Sequence, residues 1–173
     1  ARFDPDTLRW LNQQYIKEAD NERLATLTLP FLEKDGCTVT GGQGARAPLA
    51  SVVALLKERV STIEELADAA VYFYRPLEPS AQLRQQHYVA DIKPALADLQ
   101  SRLAAIEWSR ANINDAVKTV VAEHNLKMPK LAMPLRVMVT GEAQSPSIDA
   151  TLELIGREQV LARMAKQLQA FPV

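Results

Sequence analysis

The chain of 173 residues carries one cysteine, Cys37, so no disulfide can form within it, and a reducing cytoplasm suits it. Histidine is nearly as scarce: His87 and His124 stand far from Cys37 and from each other. Without His, Cys and carboxylates at ligand spacing, the sequence predicts no metal site. Long apolar runs are missing too. None approaches the roughly 18–20 residues that span a bilayer, and no cationic segment leads into an apolar core as in a secretory signal. The chain opens on Ala1 rather than Met, which reads as a processed protein or an excised piece. Alternating strand patterns are nearly absent, and only Arg136 to Thr140 reads equally as strand or helix. Charge of one sign is not in excess either. With 20 Lys/Arg against 21 Asp/Glu the net charge is −1, which argues against a general polyanion binder.

What is present is helix. A hydrophobic content of 47 % and a charge content of 24 % are ordinary for a globular protein, and the length suits one core or two small packed subdomains. Asp4-Pro5 looks like an N-cap with proline at the first helical position, followed by Leu8, Leu11, Tyr15 and Ile16 at helical spacing. A second helix starts near Asn21, and Pro30 is expected to kink or end it. Residues 35–48 hold four of the six glycines and read as the clearest loop. A third helix runs from about Pro48 to Arg59. Ser61-Thr62-Ile63-Glu64 then forms a capping-box pattern with Ser61 and Glu64 as partners.

Beyond Pro76–Ser80, a break and a further N-cap, Tyr88, Ile92, Leu96, Leu99 and Leu103 mark a longer helix that Pro94 interrupts. Another helix follows Glu107-Trp108. A Met-Pro-Lys turn then leads into a short apolar helix from Pro134 to Thr140. Ser145-Pro146 repeats the cap-then-proline logic, Gly156 suits a left-handed C-cap, and Arg157 opens the last helix. The fold class is all-α. Tyr72, Phe73 and Trp108 read as core, and so, on its spacing, does Trp10.

Catalytic machinery is not visible. Gly41-Gly42-Gln43-Gly44 lacks the following Lys-Ser/Thr and the preceding strand of a phosphate-cradling loop. Lys127-Met128-Pro129-Lys130 superficially resembles the Lys-Met-Ser-Lys signature of class I aminoacyl-tRNA synthetases, but proline replaces the serine and no His-x-Gly-His partner exists. It reads as a turn whose lysines can touch a phosphate. Charge is unevenly spread: residues 1–36 carry five cations and seven carboxylates, whereas residues 118–173 carry seven and five. Between Lys118 and Arg136 four cations face Glu123 alone. Such a patch can hold phosphates because screening confines its field to about 10 Å, and it can equally be a solvated helix face.

Three stretches, in order, resemble one family. Phe3 to Ile16, with Leu8-Arg9-Trp10-Leu11-Asn12 and Tyr15-Ile16, is similar to the segment after the catalytic domain of bacterial-type glutamyl-tRNA synthetases. Leu55 to Leu66 with Tyr72-Phe73 follows. The third runs from Pro134-Leu135-Arg136 through Thr140-Gly141, Ser145-Pro146 and Leu154-Ile155-Gly156-Arg157-Glu158 to Arg163. The resemblance covers essentially the whole chain. It implies a two-subdomain helical anticodon-binding domain of a class I aminoacyl-tRNA synthetase. The expected division is 1–83, the stem-contact and first helical subdomain, and 84–173, the second. The family couples glutamate to its tRNA with ATP in a Rossmann-type domain that this chain does not match. No catalysis and no cofactor are therefore expected of the chain itself.

The partner the resemblance implies is the anticodon stem-loop of glutamate tRNA, met by a cytoplasmic monomer with no membrane contact. Arg59 matches the family arginine facing the third anticodon base. Its alternative is a surface cation complementing the C-terminal end of its helix. Ser145 and Pro146 match a turn that contacts the anticodon, with Ile148 further on; many relatives carry threonine at the first place, and a plain capped helix start would also explain the pair. Arg136 and Lys118 match basic positions of the same surface, and Trp10 falls in the stem-contact motif. A helical module that docks a protein and never touches RNA is the competing function, separable by the salt dependence of tRNA binding.

Overall fold

The computed structural model describes residues 5–37 and 48–171, which are helices joined by short connections. The helices are α1 (Pro5–Glu18), α2 (Asn21–Lys34), α3 (Leu49–Leu56), α4 (Ile63–Tyr74), α5 (Ala81–His87), α6 (Lys93–Ala105), α7 (Arg110–Glu123), α8 (Met128–Thr140), α9 (Ile148–Ile155) and α10 (Arg157–Leu168). Short 3-10 turns, Lys57–Arg59 and Ala90–Ile92, follow α3 and precede α6. No strand occurs among the described residues, so Arg136 to Thr140 is helical. The cap at Asp4 and the glycines Gly41, Gly42 and Gly44 lie outside the described residues.

Two compact units divide between Arg75 and Pro76, eight residues before the boundary read from the sequence at 83/84. The break coincides with the end of α4 and the start of an extended stretch that includes Pro76 and Pro79, so α5 joins the second unit and packs against α8. In the first unit α2 packs on α3 and α4, burying Leu24, Leu32, Val52, Val53, Leu56, Leu66 and Phe73. Tyr72 and Phe73 are buried as expected, with ring centroids 4.6 Å apart. In the second unit α6 packs on α7 and α10, α7 on α8 and α9, and α8 on α10. Leu96, Leu99, Leu103, Ile113, Val120, Leu131, Leu135 and Met164 fill that core.

Prolines do less damage than expected. α2 continues past Pro30 to Lys34, α6 takes Pro94 into its first turn, and α8 opens at Met128 with Pro129 in its first turn and Pro134 inside. The Met-Pro-Lys turn is therefore helix. A proline inside a helix removes one hydrogen bond and costs about 3 kcal/mol. Fully burying each Leu contributes roughly 1.5–3 kcal/mol, and Leu24 and Leu32 in α2, like Leu131 and Leu135 in α8, offset that loss. The carbonyls deprived of a partner belong to Thr26 and Lys130, both exposed residues that water can reach.

Caps also shift by a residue. The N-cap of α4 is Thr62, whose hydroxyl accepts from the Glu65 amide at 3.0 Å, while the Ser61 amide donates to the Glu65 carboxylate at 2.8 Å. Gly141 caps α8 in the left-handed region with φ 76° and ψ 5°. Gly156 instead has φ 95° and ψ 149°, a region essentially reserved for glycine but not the helical one expected, and it links α9 directly to α10.

Candidate nucleic-acid interface

Arg136, Ile148 and the turn between them belong to one construction on α8 and α9. The Arg136 Nε donates to the Ser145 hydroxyl at 2.8 Å, and a second guanidinium nitrogen lies 3.2 Å from the Met133 sulfur. The Ser145 hydroxyl donates in turn to the Pro146 carbonyl at 2.8 Å, which also accepts from the buried Thr151 hydroxyl at 3.3 Å. Ser145-Pro146 is thus not the cap of α9. Ser147 occupies that position, and its hydroxyl caps no amide of the helix. Ser145 is free of capping duty and holds the arginine.

Beside this turn α7, α8 and the start of α9 enclose a cavity of about 270 Å³ lined by Asn114, Val117, Met128, Ala132, Arg136, Ser147, Ile148 and Asp149. Its walls are apolar, from Val117, Met128, Ala132 and Ile148, and Asn114, Arg136, Ser147 and Asp149 supply polar groups. Lys118 is exposed on α7 and stands four residues after Asn114, one helical turn along the same face. Burial pushes the Asp149 pKa up, but bonds from Arg110, Ser147 and the Ala150 amide outweigh it and hold the carboxyl below its usual range. The cavity is therefore a half-open apolar space lined also by a guanidinium and a carboxylate. Apolar pockets with a few placed polar groups suit small planar ligands.

Arg59 is the last residue of the 3-10 turn after α3 and is exposed. Among the described residues no carboxylate pairs with it. Its neighbour Lys57 is committed, donating to the Ala19 carbonyl at 3.3 Å. Trp10 corrects its core reading. It is 58 % exposed, beside Leu11 and Tyr15 at 52 % each, and Ile16 is the residue α1 buries. Trp108 is half-buried rather than core: its indole donates to the Glu153 carbonyl at 3.3 Å, and the Arg157 guanidinium lies 5.6 Å from its ring centre.

The structure brings Arg136, Ser145, Pro146 and Ile148 together and places Lys118 on α7 one turn beyond the cavity residue Asn114, while Arg59 and Trp10 belong to the other unit. Asn114, Met128, Ser147 and Asp149 were missed by sequence reasoning. For Asn114 the four-residue spacing to Lys118 was the available signal; Met128 was hidden by reading its segment as a turn. His124 has its Nε2 3.0 Å from the Asp98 carboxylate. Among the described residues no group of three or more His, Cys, Asp or Glu side chains could hold a metal, and no helix is long and apolar enough to cross a membrane.

An all-helical domain with basic and polar side chains around an apolar cavity has the features of a reader of single-stranded bases. Residues 23–168 match the model of the anticodon binding domain family, and the chain belongs to that family. It is similar to the glutamate–tRNA ligase of Nitrosospira multiformis, at 60 % identity over 171 residues, covering 99 % of this chain and 36 % of that protein. It is also similar to that of Thiobacillus denitrificans, at 57 % identity over 168 residues, covering 97 % and 35 %. The chain thus spans about a third of the length of these relatives. In fold it matches the crystal structure of a glutamate tRNA ligase from Elizabethkingia meningosepticum in complex with its amino acid. The TM-score is 0.87 at 21 % identity, covering 99 % of this chain and 34 % of that one.

Proposed function

We propose that this chain is the tRNA-reading part of a glutamate–tRNA ligase, binding the anticodon stem-loop of glutamate tRNA as a cytoplasmic monomer. The observation that carries the reading is the joining of Arg136, Ser145, Pro146 and Ile148 into one rim beside an apolar cavity. An unstacked anticodon base enters the cavity between Ile148 and Val117, where apolar contact replaces the stacking it leaves. Arg136 is pre-oriented by Ser145 and donates to the base edge. Lys118 neutralises a phosphate and sets the register without reading sequence. Arg59 reads a further base from its own unit, and Trp10 contacts the stem. Charging with glutamate belongs to the part of the relatives that this chain does not span, and ATP would be used there.

The test is a titration of the chain with glutamate tRNA over a salt series. Affinity should fall linearly on logarithmic axes, and Lys118→Ala should shallow the slope by about 0.7–0.9, one phosphate contact. Arg136→Ala should relax preference for the glutamate anticodon. Binding that ignores salt and anticodon alike refutes the reading.

A further inference from the structure

Arg110, the first residue of α7, neither lines the cavity nor belongs to the stretches that carry the resemblance. Its backbone amide donates to the Glu153 carboxylate at 2.8 Å, its Nε to Asp149 at 2.9 Å and its Nη2 to the Ser147 hydroxyl at 3.3 Å. Ser147 and Asp149 are the two chain neighbours of Ile148, and all three line the cavity. One guanidinium from α7 therefore grips both sides of the residue that forms the cavity wall on α9. The opposite end of the same turn is held from α8, where Arg136 donates to Ser145. Asp149 also accepts from the Ala150 amide at 2.9 Å, which directs its other oxygen to the Arg110 bond. A planar fork can hold two acceptors at once in fixed relative positions, which a lysine ammonium on a flexible stem does less well.

We infer that Arg110 is a positioning residue for base selection: by holding Ser147 and Asp149 together it sets the pose of Ile148 against a base in the cavity. The inference rests on the cavity being a base site. Because the Arg110 guanidinium is given to Asp149 and Ser147, the role assigned to it includes no phosphate contact, so its loss changes which base is preferred and leaves the number of neutralised phosphates alone. The arginine partner is exposed, at 56 % accessible against 22 % for Asp149, so solvent screening keeps the effect modest.

The experiment measures affinities of the chain for the glutamate anticodon stem-loop and for stem-loops with one anticodon base changed, over a salt series. The variants are Arg110→Ala, Arg110→Lys, Asp149→Asn, the double variant Arg110→Ala with Asp149→Asn, and Arg136→Ala. Arg110→Ala should lower the ratio of cognate to altered affinity by about threefold at an unchanged salt slope. Arg110→Lys should keep part of the ratio, and the double variant should be no worse than Arg110→Ala, because the two act as one unit. Thermal unfolding run alongside separates this from a loss of fold, which would weaken every stem-loop equally and leave the ratio intact. An unchanged ratio, an additive double variant, or a slope that falls by one phosphate overturns the inference. If Arg136→Ala relaxes selectivity and Arg110→Ala does not, the base site stands and only the positioning role fails. If neither variant changes the ratio, both fail.

Discussion

Gly141 is the position where backbone geometry and packing demand glycine together. It ends α8 at φ 76°, and a Cβ built there would stand 2.8 Å from both the Cβ and the carbonyl oxygen of Leu77. Gly36, after α2, has φ 82° with nothing among the described residues within 4 Å of its virtual Cβ. The pair separates two costs. Left-handed geometry at a residue with a Cβ costs about 1–2 kcal/mol, and both Gly141→Ala and Gly36→Ala incur it. Only Gly141→Ala adds the clash, against backbone that cannot swing aside, which overpacking precedents put at about 1–3 kcal/mol. The expected losses are about 1–2 kcal/mol for Gly36→Ala and about 2–5 kcal/mol for Gly141→Ala. Urea unfolding followed by far-UV circular dichroism gives both values if the slopes stay equal. For a domain of this size each kcal/mol should also lower Tm by about 2–4 °C. Because residues 142–144 lead from Gly141 to the Ser145-Pro146 turn, Gly141→Ala should also weaken tRNA binding where Gly36→Ala does not. Equal losses at the two sites would refute the close approach of Leu77, and no loss at either would refute the left-handed backbone.

Thr62→Ala should cost about 1 kcal/mol by removing the cap on the Glu65 amide, whereas Ser61→Ala, whose amide rather than hydroxyl bonds Glu65, should cost less; urea unfolding compares them. The Ser61 amide, opposed by burial and helped by Arg9, holds the Glu65 pKa below its usual value. A lowered folded pKa stabilises above the ordinary glutamate value and that contribution disappears as pH falls through the folded one. The stability gap between the native chain and Glu65→Gln should therefore close on acidification, and a gap constant with pH would contradict the bond. Arg59→Ala should reduce discrimination between glutamate and glutamine tRNAs by roughly the 1–3 kcal/mol of one bidentate base contact, read as a ratio of affinities.

Helix content was legible because a 3.6-residue period survives errors of detail. Ile92, Leu96, Leu99 and Leu103 are buried where their spacing puts them, whereas in α2 a spacing that points to Leu24, Leu27 and Phe31 finds only Leu24 buried. Proline was misread because its local cost is visible in sequence while the compensating burial across the core is not, and Pro30 and Pro134 both sit in helices whose apolar stripes are well packed. The cap at α4 was misassigned by one residue because Ser61 and Thr62 are both competent N-caps followed three residues later by glutamate. Only the extended backbone at Thr62, φ −136° and ψ 161°, decides between them. Periodicity told that α1 has an apolar face but not what lies against it, so Trp10 looked like core and is exposed.

The site divides along the same line. Arg136, Ser145 and Ile148 lie within 13 residues, and a motif can carry them because local chain geometry keeps them together. Arg110 and Asn114 reach the same place from α7, more than 30 residues away from the turn, Arg110 through bonds that span 37 and 39 residues and Asn114 as part of the cavity lining. No pattern of spacing signals such a meeting, since it depends on how α7 packs against α8 and α9. The motif thus supplies the groups that would meet a base, while tertiary packing supplies the groups that hold them in place. Selectivity should accordingly be sensitive to residues a motif does not contain. A bidentate contact discriminates only as well as its donors are held, and the Ser145–Asp149 turn is held from outside its own segment at both ends.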